Sequence, residues 1–375
     1  MRGPEEKQSS LLALISPSSI VPSDHPLRAI KERADAALKA LSPQFDAMYA
    51  EGGRASIPPE TLLKAQILII LYSVRSERQF CEQLSYNFLF RWFLDMDMVS
   101  PPFDATTFSK NRERLIKHEI SQRFFQQVVQ QADDEGLLSS EHFSVDGTLI
   151  EAWASTKSFV PKEEAAERRD DDDSRPPGNA RQRRRARRER NAWKDFSGTK
   201  RTNETHVSTT DPEARMMRKG GGKEAKLSYG AHVLMENRNG FVVNGRVTEA
   251  TGTAEREAGL EMLAEVQGSH KGTAGGDRGY DTQDFVEGCR RLGFTPHVAQ
   301  NTTKRRSAID RRTTRHSGYA LSIKARMAIE GIIGWAKTIG GIRRTRFRGR
   351  ERVAMHVDLV LAAYNLLRLI KLAPT

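Results

Sequence analysis

The chain has 375 residues, enough for two or three domains and for a core that folds without covalent staples. Its 60 Lys and Arg against 48 Asp and Glu leave a formal net charge of +12, which points to a polyanionic partner and away from a small neutral substrate. Cys81 and Cys289 lie far apart with no His or Cys at zinc-like spacing, so a disulfide framework and a zinc finger are both excluded. The start, MRGPEEKQSS, has no basic-then-apolar leader, and the apolar stretches near 65–74 and 357–370 read as too short or too interrupted to cross a bilayer. The expectation is a soluble, cytoplasmic, basic protein.

In chain order, residues 1–22 are polar and punctuated by Pro and Ser, and read as a flexible arm. Residues 23–136 carry a helical pattern. Pro58 and Pro59 open a helix over LLKAQILIILYS, Ser76 and Gln79 have capping-box spacing before QFCEQLSYNFLFRWFL, and a helix capped near Asp104 runs through TTFSKNRERL. Short helices interleaved with Arg75, Arg78, Lys110, Arg112 and Arg114 fit a helix-turn-helix-like DNA-binding unit; an all-helical support domain with solvated cations fits equally well.

Near 137 the composition changes. HFSVDGTLI is a strand, KLSYGAHVLME and FVVNGRVTEA form a hairpin around Asn237–Gly240, and then come a helix (AEREAGLEMLAEVQ), a strand ending at GGD, a helix (TQDFVEGCRRLG), a strand (TPHVAQ) and helices beyond about 320. The order β-β-β-α-β-α-β-α predicts a mixed five-stranded sheet with helices on both faces, built from 137–160 and 202–375. Between these pieces, 161–201 is an acidic block, a Pro-Pro-Gly breaker and an arginine block, RQRRRARRER. It reads as a disordered insertion, either clamping phosphates or neutralising itself.

Three carboxylates stand out. Asp146 sits inside a strand where an acid is poorly suited to an apolar interior, and Asp277 closes the strand in TAGGDRGYD, at the sheet edge where open α/β folds place ligands. Asp281 and Asp284 read instead as a helix N-cap and a first-turn acid. Glu330 lies in KARMAIEGIIGWAKTIGG, where Arg326, Glu330 and Lys337 share one helical face beside an apolar stripe of Ile329, Ile333, Ala336 and Gly340. For each acid an ordinary structural role, as a turn former, a cap or an i,i+4 Arg–Glu pair, stands beside the functional one. Two carboxylates about 4 Å apart repel by roughly 4 kcal/mol at an effective dielectric near 20. A cluster of the three therefore calls for a divalent cation, Mg²⁺ or Mn²⁺, brought in with DNA phosphates.

At these residues the sequence resembles the DDE-type transposases of bacterial insertion sequences, in particular the insertion-sequence-five-like group, and the element order resembles the ribonuclease-H-like fold. SVDGTLIEAWAS, GGDRGYDTQDF with TPHVAQN, and AIEGIIGWAKTIGG are similar to that family's three catalytic regions, in order. Arg326, Glu330 and Lys337 match its Arg-x3-Glu-x6-Lys spacing, whereas the Tyr that usually stands three residues before the Arg is Ile323 here. The resemblance implies Asp146, Asp277 and Glu330 as catalytic acids holding two Mg²⁺ or Mn²⁺ ions, with Arg326 and Lys337 on phosphates near the scissile bond. It further implies that Arg343, Arg344, Arg346, Arg348, Arg350 and Arg352 contact the backbone of element or target DNA, unless that tract is solvated or self-paired. Trp335 reads as a base-stacking or a packing residue. The implied activity is binding of double-stranded element ends, phosphodiester hydrolysis and strand transfer into target DNA by a homodimer or larger assembly, on the nucleoid and away from membranes. A ribonuclease-H-like nuclease without strand transfer and an inactive DNA-binding protein are the alternatives.

Overall fold

Pro58, in extended conformation, and Pro59 at the first helical position start a helix, Pro59–Leu71, that is buried on nearly every side from Leu62 to Ile70. A helix apolar all round has to be central, and the others of its unit surround it. The computed structural model describes residues 17–49, 56–97, 100–166, 201–220, 222–266, 272–303 and 306–372. It divides into two compact units, 1–132 with 362–375, and 133–361.

The first unit contains α1 (Pro17–Ile20), α2 (Leu27–Ala40), α3 (Ser42–Ala47), α4 (Pro59–Leu71), α5 (Glu77–Gln83), α6 (Phe88–Phe93), α7 (Thr106–Lys117) and most of α8 (Ile120–Asp134). Ser76 caps α5 by accepting from Gln79 N at 3.1 Å, as the spacing predicts. The helix expected through residue 94 is broken, however, and restarts at α6 under an Asn87 cap. The expected arm is also partly anchored. Arg28 donates to the carbonyls of Ser18, Val21 and Pro22 at 2.6–2.9 Å, and Val21 is buried, because a guanidinium can satisfy several chain-end carbonyls at once. Residues 1–16 lie outside the described residues.

Of the cations interleaved in this unit, Arg112 is tied to Glu77 at 2.5 Å and Arg114 stacks on the Tyr49 ring at 4.5 Å, so both serve the fold. Arg75, Arg78 and Lys110 are exposed.

In the second unit β1 (His142–Glu151) pairs antiparallel with β5 (Lys226–Glu236) and parallel with β7 (Thr273–Gly276). The strands β6 (Val242–Glu249), β8 (Thr295–Val298) and the short β4 (Arg215–Met217) complete the sheet. The order is β6-β5-β1-β7-β8 with β4 on the free part of β5, so the sheet has six strands and not the expected five. Isolated Arg and Met residues at 215–217 carry no alternation long enough to read as a strand. A separate ribbon joins β2 (Phe159–Pro161) to β3 (His206–Ser208). Of the charged insertion expected at 161–201, residues 167–200 lie outside the described ones.

The hairpin turn is organised by Glu236, wholly buried, whose carboxylate accepts from the N–H groups of Arg238, Asn239 and Phe241 while Gly240 takes φ +72°. One sheet face is covered by α9 (Ala254–Ala264) and α10 (Gln283–Arg291), around Val145, Met262, Tyr280 and Phe285. After α11 (Arg311–Thr314), α12 (Ser317–Ala325) and α13 (Ala328–Thr338) cover β1, β7 and β8. The last helix, α14 (Arg350–Leu372), is 23 residues long and, contrary to the reading of 357–370, is long and apolar enough by composition to cross a membrane; 67% of its apolar window is buried inside the protein.

Candidate active site at the end of the sheet

The parallel pairing Ser144↔Gly275 between β1 and β7, carried two residues further, sets Asp146 beside Asp277 on strands about 4.8 Å apart. Asp146 leaves the sheet toward Arg326 and Glu330, which act on its carboxyl, and Asp277 follows directly on the last residue of β7, Gly276. Asp277 caps one turn of 3₁₀ helix, Arg278–Tyr280, by accepting from Gly279 N with Oδ1 at 2.7 Å. The turn-forming role is therefore real, and it uses one oxygen. Asp281 is not the N-cap of α10. It is buried and accepts from Asn301 N and Ala308 N at 2.6 and 2.9 Å, tethering the loop after β8, while Thr282 caps the helix.

The helix expected across 324–341 is interrupted at Arg326–Met327, which form a turn between α12 and α13. Arg326 nevertheless reaches Glu330, Nη2 to Oε1 at 3.9 Å, with the guanidinium largely covered (15% exposed) and the carboxylate open (60%). The buried stripe of α13 is Ile329, Ile332 and Ala336 followed by Gly340, and Ile333 is only half-buried. Arg326 packs beside Gly275, and its Nε is buried without a partner.

Burial, and then the charges of Asp277 and Glu330, push the Asp146 carboxyl up to about 6, against the pull of the Gly147 N–H and of Arg326. The three acids named from sequence thus share one electrostatic neighbourhood. Burial, followed by Lys219 and Arg343, lowers the Lys337 ammonium, whose one opposing influence is Asp146. A cationic group therefore borders the acidic one.

A fourth acid stands here that the sequence reading passed over. Glu255, in the first turn of α9, is pushed up to about 7 by burial and then by Asp277 and Asp146. Its Oε1 lies 2.6 Å from where a Cβ on Gly147 would be, so only glycine leaves it that place. Taken alone, a first-turn Glu reads as a helix-dipole acid, and the available signal was the glycine beside Asp146, since glycine in a strand marks close approach. Two wholly buried groups adjoin it. His232 has Nε2 2.8 Å from Thr248 Oγ1, an Nδ1 without a partner, and a pKa lowered by burial to about 4. The Tyr280 hydroxyl is turned toward Glu255 without a well-formed hydrogen bond.

The basic tract is less uniform than its sequence. Residues 343–345 run along the end of β1, with Glu151 N donating to Arg343 O and Thr345 N to Glu151 O. Arg344 stacks on Trp153 at 4.9 Å and pairs with Glu151 at 3.8 Å, beside a polar groove of about 470 Å³ that Arg348 also lines. Arg346 lies over Phe347 and Arg352 donates to Arg348 O at 3.4 Å, whereas Arg343, Arg348 and Arg350 are exposed. Trp335 is half-buried, and Trp153 is the more open tryptophan at 49% exposed.

In donor type the acids suit a hard divalent cation, all offering oxygen, with the half-engaged Arg326 as partial counter-charge. Among the described residues no three His, Cys, Asp or Glu side chains close on one ready coordination point. Both cysteines are free and buried.

Residues 16–114 match a family described as Transposase domain (DUF772), and residues 140–366 match the Transposase DDE domain. No curated protein matches the chain in sequence. Among solved structures, a piggyBac transposase in a synaptic complex with hairpin DNA is 9% identical, with a TM-score of 0.41, over 91% of this chain and 74% of that one. That likeness is too remote to transfer a residue role. The DDE match spans well over half of the chain, and the protein belongs to the DDE transposases, divalent-metal-dependent enzymes that act on DNA.

Proposed function

We propose that Asp146, Asp277 and Glu330 are the catalytic acids of this transposase, that they hold two Mg²⁺ or Mn²⁺ ions, and that the unit carrying them is a ribonuclease-H-like core. The observation that carries this is the mutual electrostatic contact of Asp146 with Asp277 and Glu330, acids contributed by two adjacent strands and a facing helix. The strand order β6-β5-β1-β7-β8, with two parallel strands after the hairpin, supports the fold assignment. Held by these acids, two such ions would supply activation of a water or a 3′-hydroxyl and stabilisation of the departing oxygen.

The chain's own side chains do the remaining work. Asp277 keeps one oxygen on the Gly279 N–H, which fixes the carboxylate's direction and leaves the other oxygen for the site. Arg326, with its unpartnered Nε, and Lys337 present charge to the phosphates flanking the bond to be cut, and Arg343, Arg346 and Arg348 extend the contact along the duplex. Arg344 contributes from the groove beside Trp153. On this reading the protein binds its element's ends as a homodimer or larger assembly, hydrolyses the phosphodiester there and joins the freed 3′-hydroxyl to target DNA, on the bacterial nucleoid.

The test is a cleavage and joining assay with Mg²⁺ or Mn²⁺ on DNA carrying the sequences that flank the gene, comparing wild type with Asp146→Ala. Metal-dependent nicks at the ends, followed by joined products and absent from the variant, are expected. Binding without cutting, identical in both proteins, would overturn the assignment of the acids.

A further inference from the structure

Asp146 does not leave the sheet alone. The Gly147 N–H, past the end of β7, donates to Asp146 Oδ1 at 2.8 Å and also lies within reach of the Glu255 carboxylate. Asp146 approaches from the α13 face and Glu255 from the start of α9, and the one N–H between them is shared. The bare α-carbon of Gly147 is what brings the two together, since a Cβ would meet Glu255 Oε1 at 2.6 Å and His232 Nδ1 at 2.9 Å. Around the same point stand the two buried polar atoms without partners, His232 Nδ1 and the Tyr280 hydroxyl, on residues 3% and 0% exposed.

Buried polar atoms cost free energy unless they are paired, and four acids in one neighbourhood repel one another. Other buried or half-buried carboxylates of this unit are satisfied by a cation, as Glu249 is by Arg215 at 2.9 Å, or by several backbone N–H groups, as Glu236 and Asp281 are. Glu255 has no ion-pair partner among the described residues. It lies over Gly147, with the unpartnered His232 Nδ1 beside it and the Tyr280 hydroxyl turned toward it.

We propose that Glu255 is a fourth carboxylate of the metal-binding site, holding a divalent cation together with Asp146 and Asp277, with His232 and Tyr280 as hydrogen-bond partners for the cation's water. The proposal rests on the reading of Asp146 and Asp277 as metal ligands. Glu255 thereby sets metal affinity, and the glycine after Asp146 is required to admit it.

The experiment titrates the full-length protein with Mn²⁺ alone, by calorimetry and by the rise in Tm, for wild type, Glu255→Gln and Asp146→Asn. Glu255→Gln is expected to weaken Mn²⁺ binding by about 10- to 100-fold and to flatten the Mn²⁺-induced rise in Tm, while its Tm without metal stays at or above that of wild type. A merely structural Glu255 would move the metal-free Tm and leave Mn²⁺ affinity alone. If Glu255→Gln binds Mn²⁺ as wild type does while Asp146→Asn has lost it, the fourth-ligand assignment falls and the reading of Asp146 stands. If Asp146→Asn also binds normally, both fall. Should Glu255→Gln not fold, Glu255→Asp, which withdraws the carboxylate by one methylene, is titrated instead with the same two outcomes.

Discussion

The protein holds two clusters of half-buried charge that differ in one respect. In the helical unit Lys31 and Lys64 meet Asp35 and Asp95; Lys31 lies 2.6 Å from Asp35 and 2.8 Å from Asp95, Lys64 lies 3.0 Å from Asp35, and it also contacts Asp95. At the end of the sheet Asp146 feels Asp277 and Glu330, Glu255 feels Asp277 and Asp146, and Arg326 stands by Asp146 and Glu330 as counter-charge. Burial disfavours the charged forms in both places. In the first cluster the partners outweigh it, so Lys31 ends above its ordinary value and Asp95 below. In the second the neighbours add to it, and Asp146 and Glu255 rise to about 6 and about 7. The first cluster is balanced by its own cations, whereas the acids of the second outnumber theirs.

The sharpest way to break this comparison is Asp277→Asn. The amide keeps the acceptor for Gly279 N, so fold and DNA binding are expected to survive while cleavage falls by about 10³-fold or more, the loss of an electrostatic group acting on the transition state. Loss of binding in equal measure would move Asp277 to the structural side.

Next in size is the pH response of the metal-free protein. Asp146 takes up its proton at about pH 6 when folded and near its ordinary 3.8 when unfolded, so the folded state binds more protons between those values. Stability therefore falls as pH rises through that window, by about 3 kcal/mol for this group, and Mn²⁺ restores it. Urea unfolding at pH 4, 5, 6 and 7 with and without Mn²⁺ checks this, and a flat profile would contradict an unneutralised acid cluster.

Lys64→Met tests the completed cluster. Lys64 is 6% exposed, but Asp35 and Asp95 are 40% and 61% exposed and can rehydrate, so a loss of only about 1–2 kcal/mol is expected. An unchanged Tm would show the pairing to be idle. The smallest effect is that of Arg343→Ala, which should flatten the salt dependence of DNA binding by about one unit and weaken binding about tenfold at 0.1 M salt. Arg343 suits this test because it is exposed, whereas Arg344 is tied to Glu151 and Trp153. An unaltered slope would return that part of the tract to solvent.

Much of this was legible in the residues themselves. The Pro58–Pro59 start, the Ser76 cap, the hairpin about Gly240, and the strands ending at 276, just before Asp277, and at 298 follow from local backbone preferences, which act over a few residues and so leave a mark on a few residues. Asp146 and Asp277 stand out because an acid within a strand or at its end departs from ordinary patterning, and Glu330 because its spacing from Arg326 and Lys337 matches the family resemblance. The breaks at 84–87 and 326–327 were not legible, because the helical period continues across them and the interruption answers to packing. The same holds for Asp281, whose sequence spacing fits a cap and whose partners at Asn301 and Ala308 are 20 and 27 residues away.

By itself, then, the sequence determined the helical start, the α/β continuation and the basic charge, and it marks three acids as candidates, since each depends on residue type and short spacing. Only the tertiary structure decided that β1 and β7 lie side by side with Asp146 next to Asp277, that Arg112 and Arg114 belong to the fold, and that Glu255 reaches Asp146 across Gly147. Those contacts join residues up to 131 positions apart in the chain, and the free energy of such an encounter resides in the pair, so neither residue shows it alone.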